Sequence, residues 1–146
     1  MGKRREGREA AVQFLFAHDL HGEHTPGEQE AFWEIHNAKP AVRTHAESLA
    51  RGVLAHREEI DALIAPVLQN FRLERLANVD RNILRLAIYE LLHQPEVPAP
   101  VILNEAIEIA KSLGAGESGS FVNGILDQIA RRTRPNAPSH KPPARE

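Results

Sequence analysis

Several groups of residues in this chain have types and spacings that could do chemistry. Lys3, Arg4, Arg5 and Arg8 crowd the start, and Glu105 and Glu108 stand one helical turn apart before Lys111. His18, His21 and His24 cluster around a turn, while Ser118, Ser120 and Phe121 lie in and after a glycine-rich G-A-G-E-S-G run. On a helix, Arg4 and Arg8 at i and i+4 share a face near the N-terminus. The helix dipole disfavours cations there, and a visiting anion would resolve the conflict. Glu105, Glu108 and Lys111 have the spacing of a solvated helix face, and no pocket is implied that would make the two acids a proton-transfer pair. The histidine spacings run into Gly22 and Pro26 with no acid fixed beside them, so a solvated loop accounts for them better than a metal site does. Ser118 and Ser120 have no evident histidine base, and G-A-G-E-S-G follows a helical pattern instead of a strand, which fails the context for dinucleotide binding. No catalytic residue, cofactor or metal is expected, and the chain reads as a binding protein. Phe121 lies at the edge of an apolar stripe, either packed on the preceding helix or left beside a helix start where a base could stack.

These residues are carried by segments with helical periodicity. Ile102, Ala106, Ile109, Ala110 and Leu113 form one apolar face, and Val122, Ile125, Leu126 and Ile129 form the next. Between the two, Gly114 is expected to be a left-handed C-cap and Ser118 an N-cap. Gly124, inside the second helix, suggests close approach of a neighbour. The first helix is expected over Lys3 to Leu20, with Phe14 and Leu15 inward and Phe16 half-buried. A loop follows over 21–27, then a short helix from Glu28 to His36 with Trp33 as a core residue. Pro40 opens a further helix that ends or bends near His56, and Pro66 interrupts the next one. After a connector over Asn70 to Arg75, the run N-V-D-R-N-I-L-R-L-A-I-Y-E-L-L places Ile83, Leu86, Ala87 and Leu91 inward. Asp80, Arg81 and Arg85 are expected to face outward. No alternating strand signal appears, so six or seven helices give an all-α bundle.

At 146 residues the chain fits one domain with a core that needs no staples. It has no cysteine, hence no disulfide and no thiolate ligand. No apolar run reaches the roughly 18 residues of a membrane helix, and the basic start lacks a following apolar segment, so a cytoplasmic protein is expected. The net charge of −2 is unevenly spread: both ends are basic and the body between them is acidic. That pattern suits a localised polyanion contact. Residues 1–134 are expected to form the helical domain, and 135–146, with four prolines, a disordered basic tail.

Four blocks, in order, resemble the bacterial NusB family of transcription antitermination factors: R-E-A-A-V-Q-F-L-F, V-D-R-N-I-L-R-L-A-I-Y-E-L, N-E-A-I-E-I-A-K and F-V-N-G-I-L-D. The resemblance runs from about Arg4 to Arg134. It implies two packed three-helix bundles, a boxA single-stranded RNA ligand in nascent ribosomal RNA operon transcripts, and a small-subunit ribosomal protein partner, Nus factor E. It also implies action on the RNA polymerase elongation complex. Carried over by position, Lys3, Arg4, Arg5, Arg8, Glu117, Ser118 and Phe121 would face RNA, and Phe16, Glu74 and Asp80 the protein partner. Phe16 stands where a tyrosine is common in the family, which removes a hydroxyl, and Glu6 interrupts the arginine run. Two other readings stay open. One is the N-terminal part of a ribosomal RNA cytosine methyltransferase, which the lack of a following catalytic domain opposes. The other is a homodimeric scaffold that uses the same surface for self-association.

Overall fold

Seven α-helices and two short 3-10 turns make up the computed structural model, which describes residues 3–22, 25–36, 39–68 and 72–135. The helices are α1 (Lys3–His21), α2 (Pro26–His36), α3 (Pro40–Ala55), α4 (Arg57–Ile64), α5 (Asn78–His93), α6 (Ala99–Leu113) and α7 (Ser118–Thr133). Apart from Pro135, the tail lies outside the described residues, as do His24 and the side chain of Lys3.

Local sequence sets most boundaries. α2 begins at Pro26, earlier than periodicity suggested, because Thr25 and Glu28 form a reciprocal cap. The Glu28 amide donates to Thr25 Oγ1 at 3.1 Å, and the Thr25 amide donates to Glu28 Oε1 at 2.8 Å. Pro40 starts α3, where its missing amide costs nothing. α4 stops at Ile64, and the chain passes Pro66 in a 3-10 turn, as the ring's clash with a preceding carbonyl requires.

Two glycine readings are corrected. Gly114 adopts extended backbone, not the left-handed conformation. It is small because Ser118 folds back on it: the Ala115 amide donates to Ser118 Oγ at 3.0 Å, and a Cβ at 114 would sit 2.5 Å from that oxygen. Ser118 is correspondingly buried and is the first residue of α7, so it is not the cap, which falls on Glu117. Gly124 is exposed, and no neighbour approaches within 4 Å of where its Cβ would lie.

α1 and α3 pack side by side with α2 laid against them through side-chain contacts, α5, α6 and α7 form a three-helix group, and α4 packs between α3, α5 and α7. α2 is held by aromatic contacts. Trp33 stacks on Phe14 at 5.3 Å, and Phe32 meets Phe14 edge-on at 5.2 Å. α5 is the shared wall, contacting α1, α3, α4, α6 and α7. Its Ile83, Leu84 and Ile88 are fully buried with Leu15, Ile60, Ile102, Leu103 and Leu126.

Polar groups also cross this wall. Arg8 of α1 and Glu90 of α5 are 4% and 3% exposed and form a two-pronged pair, with Nε to Oε1 and Nη2 to Oε2 both at 2.9 Å. Arg81 and Arg85 turn inward, against the expectation that they face solvent, because carboxylates on other helices receive them. Arg85 pairs with Asp61 of α4 at 2.9 Å and with Asp19 of α1 at 3.1 Å, and Arg81 reaches Asp19 at 3.3 Å. Burial pushes the Asp19 carboxyl up. The Asn82 amide and the Arg85 and Arg81 guanidiniums outweigh that push and hold it below its usual value.

Arg8→Ala should therefore leave Glu90 buried without its partner and cost about 3–5 kcal/mol. Equilibrium urea unfolding checks this, and an unchanged midpoint would refute the assignment. Because Asp19 is depressed in the fold, its contribution is present above its unfolded pKa and disappears as pH falls through the folded one. Stability should drop as pH falls through and below the ordinary carboxylate range, and Asp19→Asn should flatten that part of the profile.

Candidate nucleic-acid interface

The first turns of α1 bring their cations to α6. Arg5 grips Glu105 with two parallel bonds, Nε to Oε1 at 2.7 Å and Nη2 to Oε2 at 2.8 Å. The Arg5 bond holds the Glu105 carboxyl below its usual range despite partial burial, with further help from the charges of Arg5 and Arg8. Glu105 is thus an anchor for α1 and not part of a solvated face, whereas Glu108 does meet Lys111 at 3.4 Å in the expected way. Arg8 lies 4.0 Å from the same Glu105 and points into the core toward Glu90. It is not the exposed cation that its spacing from Arg4 suggested. Arg4 is exposed and has no ion pair among the described residues.

α7 starts on the same helix, α6. The position of a Cβ on Gly119 is 3.8 Å from Ile107 and from Lys111, so the first turn of α7 lies over this part of α6. From Glu105 to Lys111 is about 9 Å of helix axis at about 1.5 Å per residue. The exposed edge of α6, with Asn104, Lys111 and Ser112, therefore runs between the two helix starts. Glu117 and Ser120 are exposed, and Ser120 Oγ donates to the Glu117 carbonyl at 3.3 Å. No side chain caps the first amides of α7. Phe121 is half-buried, with part of its ring packed on the core and part open. Ser118 is the member of this set that the fold withdraws from the surface.

A second gathering lies near the other end of α1. Phe16 is half-buried and its carbonyl accepts from Asn78 Nδ2 at 3.4 Å, which joins it to the start of α5. Glu74 is exposed, 3.8 Å from Arg72, and lines an open cleft of about 400 Å³ with Asp19, Arg57, Asp61, Leu73, Arg81 and Arg85. Asp80 is half-buried, and one of its oxygens is enclosed with no hydrogen-bond partner. The Phe16 backbone and Glu74 thus lie by the junction of α1 and α5, and Asp80 stands in the first turn of α5. About 16 Å of α1 separates Arg5 from Phe16.

No motif in the sequence marks Asp19, Asp61 or Glu90, and Glu105 reads there only as part of a solvated face, although each fixes an arginine. For Glu90 a signal exists: it falls on the buried stripe of α5 at i+7, i+4 and i+3 from Ile83, Leu86 and Ala87, where an acid needs a partner. For Asp19, which meets Arg81 and Arg85 across more than sixty residues, no local pattern exists.

The sequence model of the NusB family matches residues 5–131. A transcription antitermination protein NusB of Sorangium cellulosum (strain So ce56) is 48% identical over 130 residues, 89% of this chain and 93% of that protein. One of Geobacter sulfurreducens is 47% identical over 131 residues, 89% of this chain and 95% of the relative. Among solved structures, T. maritima NusB superposes with a TM-score of 0.78 at 39% identity, covering 94% of each chain. A chain in the crystal structure of antitermination factors NusB and NusE in complex with double-stranded RNA gives a TM-score of 0.80 at 29% identity, covering 90% of this chain and 98% of that one. With the family model matched over residues 5–131 and relatives of close to half identity aligned over most of both chains, this chain belongs to the NusB family.

Proposed function

We propose that this chain is a transcription antitermination factor that binds boxA single-stranded RNA in nascent ribosomal RNA operon transcripts, jointly with the small-subunit ribosomal protein Nus factor E. The observation that carries the proposal is that the start of α1 and the start of α7 flank one exposed edge of α6. In support, Arg4 is exposed at the start of α1, and Glu117 is exposed and Phe121 half-buried at the start of α7, whose first amides no side chain caps. Single-stranded RNA is read by stacking and by hydrogen bonds to base edges, with phosphates held by cations. Lys3, Arg4 and Arg5 serve the phosphates, Phe121 stacks on a base, and Glu117 and the backbone held by Ser118 contact base edges. Arg8 has a different task in this reading: it fixes the start of α1 to α5 so that its neighbours are correctly presented.

The protein partner docks on Phe16, Glu74 and Asp80 around the α1–α5 junction. The resulting heterodimer loads onto the transcript and acts on the elongating RNA polymerase. The separation of the two faces along α1 lets both be occupied together.

Titration of labelled boxA RNA over a range of salt concentrations, with and without the ribosomal protein, tests the proposal. The partner should increase affinity, and no gain would contradict joint binding. Arg4→Ala should weaken binding and reduce the salt slope by about one unit, while Phe121→Ala should weaken it by about 1–3 kcal/mol with the slope kept. Arg8→Ala, measured on its folded fraction, should leave the slope unchanged.

A further inference from the structure

The α3–α4 corner holds a cluster that the RNA and protein faces do not use. His56 sits between α3 and α4, Glu59 lies in the first turn of α4, and His93 is the last residue of α5. Glu59 Oε1 is 3.4 Å from His56 Nδ1 and 3.0 Å from His93 Nε2. One ligand atom from each of the three residues lies within 4.8 Å of the others, and this is the group among the described residues that gathers closely enough to hold an ion.

We propose that His56, Glu59 and His93 form a binding site for a zinc-like divalent cation, with water completing the coordination. Two imidazoles and a carboxylate form a ligand set suited to zinc and its late first-row neighbours, whereas calcium and magnesium prefer oxygen throughout. A tetrahedron with arms of about 2.0–2.1 Å has edges of about 3.3–3.4 Å, so the separations of Glu59 from the two histidines are already near those of bound ligands. The imidazole rings stack with centroids 3.9 Å apart at 26°. Closing both nitrogens on one ion requires each ring to turn about its Cβ–Cγ bond, which is a soft torsion. Both histidines are only partly buried and have room for that turn.

The fold supports the site in two further ways. His93 stands at the C-terminal end of α5, where the helix dipole favours positive charge. Tyr89 backs both rings, with centroid distances of 6.1 Å to His56 and 5.4 Å to His93. Gly52 makes room for it, since a Cβ there would overlap the Tyr89 ring. Tyr89 thus closes one side of the cluster and leaves the rings facing Glu59. A bound ion would tie the first turn of α4 to the end of α5, two segments otherwise joined here by polar contacts at the surface.

Isothermal titration of the untagged full chain with zinc chloride tests the site, with magnesium chloride as the comparison. One zinc ion per chain should bind, and its presence should raise the thermal unfolding midpoint. His93→Ala and Glu59→Ala should each lose at least about tenfold in zinc affinity and lose the thermal shift. A double substitution of His21 and His24 by Ala should keep both. Glu59 is exposed, so its variant tests the site even if His93→Ala perturbs folding, and far-UV helicity reports that perturbation. Absence of zinc binding in the parent chain, or affinity unchanged in Glu59→Ala and His93→Ala, would overturn the assignment.

Discussion

The buried pair of Arg8 and Glu90 is the constraint on which the rest of the arrangement depends. Two charges so thoroughly removed from water are tolerable only with close geometry, and the planar guanidinium against a carboxylate supplies it at two points. The pair joins α1 to α5, where apolar packing alone would permit sliding. Arg5 on Glu105 repeats the connection one turn away and extends it to α6. With these bonds made, the rotation of α1 about its own axis is settled, and so is the direction in which Arg4 faces.

The same economy of charge shapes the far end of α1. Asp19 accepts Arg81 and Arg85 and stands 3.8 Å from Arg57, so three cations from two other helices converge on one carboxylate. The net result is a cleft whose walls carry both signs at short range. A surface of that kind discriminates among partners by the placement of charge more than by its total, because a mismatched group would face a like charge or an empty acceptor.

Much of this fold is legible in the sequence, for reasons that are local. The stripes of α6 and α7, the proline at the start of α3 and the break at Pro66 are consequences of a 3.6-residue period and of a ring without an amide hydrogen. The Thr25–Glu28 cap is equally local and explains the early start of α2. What the sequence conceals is pairing over distance. Arg4, Arg5 and Arg8 look alike on a helical projection, yet Arg4 meets solvent, Arg5 meets α6 and Arg8 meets the core, because Glu105 and Glu90 lie far along the chain. The inward turn of Arg81 and Arg85 has the same cause. Of the candidate site residues, Glu117 is exposed and Phe121 is half-buried, between the two readings its position left open, while Ser118 is drawn under by its bond to Ala115.

α1 is one unbroken helix from Lys3 to His21, bonded to α5 and α6 through Arg8 and Arg5 near one end and to α5 through Asp19 near the other. It therefore behaves as a gauge bar. Removing or adding a single residue between Arg8 and Phe16 would swing one end by about 100° relative to the other and shift it by about 1.5 Å. Phe16 would then leave the α5 junction, or Arg8 would miss Glu90. The connectors between helices can take up such a change, whereas α1 cannot without losing the Arg8–Glu90 pair at one end or the Arg81 and Arg85 contacts with Asp19 at the other.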